Sequence, residues 1–336
     1  MKVFVLAGQS NMLGGAPIED LPLEFINPRP DVLYQFRLDG EFDHDTIGWE
    51  QLRPLEPGYP GTTYASELSF GAAMADRLGE SIAIVKVAAS GTSLNNHWNP
   101  FNPTGIYTWF TDKVDASLAQ LTALGHEPSI AGFVWVQGEG DANLLITARA
   151  YEHHLNTFIQ QVRTDLETPD MPFLFNELHA DAQRLFGDEL RQSQRNVALA
   201  ASNAYLVNAD DLQLLSDNLH FTGAMQVELG RRFADVLIPS ADFNTDGLVN
   251  GADLGILKAS VGTDRLGDAN ADGVADGTDF LIWQRQTTGG EMGGTQPVPE
   301  PTTFAAAAIF GIAAAISSWR QSRLRRRYAS TRQAPA

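Results

Sequence analysis

Val3-Phe4-Val5-Leu6-Ala7-Gly8-Gln9-Ser10-Asn11-Met12 is the stretch from which the rest of the chain can be read. Its first five residues are apolar and show no in–out alternation. That suits a strand covered on both faces, as in a parallel sheet. The strand ends at Gly8, and Ser10 follows where a helix can begin. In open α/β sheets ligands sit in the crevice beyond the carboxyl ends of the strands, so the Ser10 hydroxyl is expected there. Its own N–H, close to a helix N-terminus, can point at a developing oxyanion.

Further short apolar runs occupy 82–88, 132–137, 172–176 and 205–208. Helix-period segments lie between and after them, at about 66–79, 109–124, 147–166, 183–202 and 222–237. Alternation repeated this often predicts a three-layer α/β/α domain over 1–240, with a flavodoxin-like parallel sheet of about five strands.

A serine hydroxyl is a weak nucleophile until a base activates it. Of the seven histidines, His220 stands out, in Asp217-Asn218-Leu219-His220-Phe221-Thr222 just before the last helix. A carboxylate three residues ahead can accept the imidazole Nδ1–H and leave Nε2 for the serine. His153-His154 fall in a polar helix, and His44, His97, His126 and His179 have no acid at such a spacing, although His97 lies near a candidate site loop. Taken singly, a strand-end serine is more often a helix cap and Asp-x-x-His more often a turn. Ser10, Gly91, Gln137 and His220 nevertheless all follow apolar runs, so all can meet at one crevice.

Four blocks occur in order: Gly8-Gln9-Ser10-Asn11-Met12, Ala89-Ser90-Gly91-Thr92-Ser93-Leu94 followed by Trp98, Trp135-Val136-Gln137-Gly138-Glu139-Gly140-Asp141-Ala142, and Asp217-x-x-His220-Phe221. Over about 1–238 this order resembles the SGNH hydrolases, and within them the carbohydrate esterases that include sialate O-acetylesterase-like proteins and acetyl xylan esterases. The resemblance implies a two-step acyl transfer needing no catalytic cofactor, with Ser10 as nucleophile, His220 as base then acid, and Asp217 orienting the imidazole. It implies oxyanion donors from the backbone N–H groups of Ser10 and Gly91 and from a side-chain amide. The wider SGNH pattern supplies that amide from an asparagine in Gly-x-Asn-Asp. The matching stretch here, Gly138-Glu139-Gly140-Asp141, has none, which makes Gln137 the candidate. Gln9, Asn11 and Glu139 would support the loops, and Asn95 and Trp98 are candidates to line a sugar site, although core packing accounts for Trp98 equally well. An acetylated carbohydrate is the expected substrate. An esterase or lipase on non-sugar acyl groups, and a glycan-binding surface protein without catalysis, remain the alternatives.

The chain of 336 residues has no cysteine, which excludes cystine frameworks, thiolate metal sites and cysteine nucleophiles. The net charge is −18, but six arginines cluster in 319–336, leaving 17 basic against 41 acidic side chains before them. Such an acidic body would repel a phosphate backbone, so no nucleic-acid partner is expected.

Beyond Ser240 the composition changes. Residues 242–253 and 268–279 repeat one pattern, Asp-x-Asn-x-Asp-Gly with further oxygen donors. In an EF-hand-type loop, oxygens at positions 1, 3, 5, 7, 9 and 12 surround one Ca²⁺. The first repeat offers Asp242, Asn244, Asp246, the Leu248 carbonyl, Asn250 and Asp253; the second offers Asp268, Asn270, Asp272, the Val274 carbonyl, Asp276 and Asp279. Aspartate at position 12 and a short helix after loop one resemble type I dockerin repeats, so 241–286 is expected to be a small helical module held by structural Ca²⁺, with a cohesin-like partner an open question.

Residues 287–298 suit a flexible linker. Within 299–328, Pro299-Glu300-Pro301, an apolar stretch to Trp319 and the arginines resemble a PEP-CTERM sorting signal. That implies an exported envelope or extracellular protein, held transiently at the membrane by a C-terminal helix until a sorting protease of exosortase type acts, with the basic end inside. An exported chain needs a leader, yet Met1-Lys2 runs straight into the Ser10 strand. The expectation is that the true start lies upstream.

Overall fold

The computed structural model describes residues 1–287 except 15, 40–43, 55–62 and 245. The expected linker at 287–298 (apart from residue 287) and the sorting segment at 299–328 fall outside the described residues. Among the described residues no helix is long and apolar enough to cross a membrane.

Six parallel strands form the body of the sheet: β1 (Lys2–Gly8), β2 (Arg29–Asp39), β3 (Ile82–Ala89), β4 (Ser129–Val136), β5 (Phe173–Asn176) and β6 (Ala204–Val207). Their order is β6-β5-β4-β1-β3-β2, with the short strands His44–Asp45 and Glu50–Leu52 antiparallel on β2. The helices are α1 (Ser10–Leu13), α2 (Glu67–Leu78), α3 (Tyr107–Ala123), α4 (Leu145–Asp165), α5 (Gly187–Ala200) and α6 (Gly223–Leu237), then α7 (Gly251–Ser260) and α8 (Gly277–Gln286).

Alternate residues of β1 enter the cores on opposite sides of the sheet. Val3, Val5 and Ala7 join residues of α3, α4 and α5, while Phe4 and Leu6 join residues of α2 and α6. This two-sided burial is what the charge-free apolar run requires.

The expectation of about five strands is corrected by β2, an eleven-residue strand parallel to β3. Its sequence disguises it, because Pro30 and Asp31 open it and Gln35 and Arg37 interrupt its apolar pattern. Gln35 is buried without loss because its amide bonds the side chains of Gln120 and Ser117. The resulting order puts β1 at the topological switch point. The chain passes from β3 on one side of β1 to β4 on the other, which is where a crevice forms.

Residues 241–286 build a small core of Ala241, Leu257, Ala269, Ala275 and Trp283 around α7 and α8. Both helices begin with a capping box, Asn250 with Asp253 and Asp276 with Asp279. The two loops share most of their hydrogen bonds, although the Asn244 N–H bond to Asp253 occurs in the first alone among the described residues. Asp242 accepts from the N–H groups of Asp246 and Gly247, and Asp268 from those of Asp272 and Gly273.

Candidate active site

The nucleophile turn is fixed by close backbone approach. A Cβ on Gly8 would lie 2.1 Å from the Val136 carbonyl oxygen, so only glycine lets β1 end against β4 there. The Gln9 N–H donates to that same carbonyl at 3.0 Å. Ser10 then starts α1, and neither its N–H nor that of Gly91 has an acceptor among the described residues. Gly91 sits in an exposed turn after β3 with φ +69, a conformation glycine adopts at little cost.

Lys86 closes the turn from below. It is fully buried in β3, donates to the Leu13 carbonyl at 3.0 Å and pairs with Glu67 of α2 at 2.8 Å. Burial pulls its ammonium below the usual lysine range, and Glu67 opposes that pull.

His220 arrives from the loop before α6. Its Nε2 lies 2.9 Å from Ser10 Oγ and its Nδ1 2.6 Å from Asp217 Oδ2. The other Asp217 oxygen accepts the N–H groups of Leu219 and His220, and Asn218 makes the turn with φ +49. Partial burial tends to raise the Asp217 carboxyl, but hydrogen bonds from His220 and the loop N–H groups outweigh it and hold it below its usual range. The structure thus joins the three residues into one hydrogen-bonded relay. His220 is 35 % and Asp217 47 % exposed, so the relay opens to solvent.

Asn11 couples the two halves. Its Nδ2 donates to Glu139 at 2.7 Å and to the Leu219 carbonyl at 3.1 Å, while its Oδ1 accepts the Phe221 N–H at 3.2 Å. Both peptide neighbours of His220 are therefore held by the residue next to the nucleophile. Glu139 is buried, its carboxyl raised by desolvation against the pull of Asn11 and the nearby His220. It accepts the Asn11 amide and so anchors that side chain.

Two sequence expectations need correction. The Gln137 amide has no hydrogen to spare for an oxyanion. Its Nε2 faces three acceptors, Asp141 at 2.8 Å, Gln9 Oε1 at 3.2 Å and the Thr92 carbonyl at 3.3 Å. Gln9, the residue before the nucleophile, has an amide with a donor left over. Its oxygen takes the Gln137 amide and the Gly140 N–H, which fixes the group, and its Nε2 has no acceptor among the described residues. Trp98 is no sugar platform either. It has no exposed surface, meets Trp135 edge to face, and donates its indole N–H to Thr92. Asn95 is exposed on the same loop, with its N–H bound by Asp141.

Asp141 escaped the sequence reading. Fully buried, it accepts the N–H groups of Leu94 and Asn95 and the Gln137 amide, so it holds the loop that presents Gly91. The available signal was an acid five residues beyond a strand end and four after Gln137. Gly140 is required at this junction, since a Cβ there would lie 2.3 Å from the Thr92 carbonyl.

The profile of the family described as carbohydrate esterase, sialic acid-specific acetylesterase matches residues 1–239. The chain belongs to this family. A probable carbohydrate esterase of Arabidopsis thaliana is 27% identical over 261 residues, 70% of this chain and 90% of that protein. The X-ray structure of that plant protein superimposes with a TM-score of 0.58 at 23% identity, covering 70% of this chain and 97% of that one. The structure of NanS gives 0.54 at 16% identity, covering 70% and 96%. These last two likenesses are of fold. Family membership makes the chain a carbohydrate esterase of the acetylesterase kind, built on the mostly parallel α/β sheet described above.

Proposed function

We propose that the esterase hydrolyses O-acetyl groups of sugars through an acetyl-Ser10 intermediate. The observation that supports this most is the unbroken relay from Asp217 through His220 to Ser10. His220 Nε2 takes the Ser10 proton as Oγ bonds to the acetyl carbonyl carbon. The carbonyl oxygen becomes an oxyanion beside the Ser10 and Gly91 N–H groups and the Gln9 amide. On collapse the C–O bond to the sugar breaks, and His220 returns the proton to the departing hydroxyl. Water then repeats the sequence on the acetyl-enzyme, releasing acetate and restoring Ser10. Asp217 keeps Nδ1 protonated and stabilises the imidazolium. Acetylated polysaccharide such as xylan, or acetylated sialate, is the substrate class. Acetate release from a panel of acetylated glycans tests the reading, with p-nitrophenyl acetate as a generic control. Wild type should release acetate from at least one glycan, and Ser10→Ala should release none above background. Equal activity in both would contradict it.

The tandem loops are proposed to hold one Ca²⁺ each. Among the described residues no three acidic or histidine side chains are already drawn into a cage. The donor chemistry nevertheless fits a hard cation. Asp242 and Asn244 oxygens converge on the Asp246 N–H, and Asp268 and Asn270 oxygens converge on the Asp272 N–H. Leu248, Asn250 and Asp253, with Val274, Asp276 and Asp279, would complete the two sets. Bound Ca²⁺ would supply folding energy to a module with a small core, so chelation should lower its melting temperature and leave ester chemistry intact. A cohesin-like protein partner for this module, export, and transient membrane anchoring through the C-terminal segment belong to the same proposal.

A further inference from the structure

We propose that a cavity at the carboxyl end of β2 is a subsite for a neutral sugar unit next to the one that carries the acetyl group. This rests on the carbohydrate-esterase reading above and extends it from a single sugar to an oligosaccharide. The cavity has a volume of about 280 Å³ and is lined by Arg37, Leu38, Asp39, His44, Asp45 and Trp109. That is close to the lower end, roughly 300 Å³, of small-molecule pockets, so it suits one ring rather than a chain.

Its position follows from strand register. Gly8 of β1 pairs with Ala88 of β3, and Ala88 pairs with Leu38 of β2, so the three strands end level. Two strand spacings, roughly 10 Å, separate the β2 end from the nucleophile turn. The Asp39 carbonyl accepts the Ser90 N–H at 2.9 Å, which ties the cavity wall to the residue before Gly91. A ligand reaching from Ser10 across the Gly91 loop therefore meets this cavity on the same edge of the sheet.

The lining is built rather than incidental. The Arg37 guanidinium carbon sits 4.3 Å from the centre of the Trp109 ring, and no carboxylate among the described residues is within ion-pair distance of it. Trp109 is itself packed beside Trp98 in the core. Asp45 is held by Lys113 at 2.8 Å, and the His44 ring stacks on Phe36. The cavity thus offers charged donors and acceptors beside an indole that Arg37 covers, so a sugar would be held there through its hydroxyl groups. Among the described residues Arg37 and the Lys113 that pairs with Asp45 offset Asp39 and Asp45, so the wall carries no net charge to favour an acidic sugar over a neutral one.

Kinetics on p-nitrophenyl acetate, mono-acetylated xylose and mono-acetylated xylotriose test this, with wild type, Arg37→Gln and Asp39→Asn. Wild type should show a kcat/KM on the triose about tenfold above that on the single sugar, the worth of one or two hydrogen bonds to charged groups. Both variants should lose most of that gain and keep wild-type turnover of p-nitrophenyl acetate. Equal kcat/KM on xylose and xylotriose in wild type would overturn the subsite and leave the esterase reading standing. Turnover of p-nitrophenyl acetate with no acetylated sugar accepted would overturn the esterase reading itself. Variants that lose p-nitrophenyl acetate activity as much as triose activity would reduce Arg37 and Asp39 to structural parts. A triose bearing a uronic acid that is preferred over the neutral one, with the preference lost in Arg37→Gln, would overturn the neutral assignment.

Discussion

The two halves of the catalytic relay are held in opposite ways. Ser10 grows directly out of β1, and its turn is pinned by the Gly8 approach to Val136, the Gln9 N–H and buried Lys86. His220 and Asp217 stand on a half-exposed loop whose own turn is local, and whose attachment to the nucleophile passes through one side chain, Asn11. The nucleophile is placed by the fold, whereas the base is placed by a clamp. Damage on the first side should therefore appear as lost stability, and damage on the second as lost turnover.

Lys86→Ala should give the largest effect. It strands the Glu67 carboxylate, which is 1 % exposed, without its partner. Removing one member of a buried pair typically costs about 3–5 kcal/mol, so the urea midpoint should drop steeply. A midpoint within error of wild type would mean that the nucleophile turn does not depend on this ion pair.

Asn11→Ala should be milder and different in kind. The Phe221 N–H and Glu139 lose their partner, at roughly 1–3 kcal/mol of unmet polar groups. The base loop is then free to drift, and kcat should fall by about 10- to 100-fold with KM little changed, since a relay out of line loses transition-state stabilisation. A fall confined to KM would place Asn11 in substrate binding instead.

Acid titration gives the smallest effect. Asp217 has its folded carboxyl held below the usual range, so the stability it contributes is fully present above the unfolded value, about 3.9. That contribution is lost only as pH falls through the lower folded value. Both groups are substantially exposed, so the arm should be shallow, and His220→Ala should flatten it. Identical acid arms in the two proteins would show that the His220 bond does not set the Asp217 carboxyl.

These contrasts also account for what could be read from sequence. β1, Ser10 and Asp217-x-x-His220 were legible because uninterrupted apolar runs and short-range spacing carry their own signal. β2 was hidden because Gln35 is satisfied by side chains more than 80 residues away. Gln137 looked like a site residue because it follows an apolar strand, and Trp98 because an aromatic face can stack on a sugar ring, but Asp141 and Thr92 draw them inward. Asp141 was missed because its role is to hold a loop 46 and 47 positions earlier, which no local spacing announces.

The central claim is that Ser10 is the nucleophile activated by His220. Labelling the folded protein with a fluorophosphonate, followed by peptide mass spectrometry, tests it most directly. The account predicts one adduct, on the peptide containing Ser10, lost in Ser10→Ala and strongly slowed in His220→Ala. An adduct on another serine, or full labelling of Ser10→Ala, would contradict it.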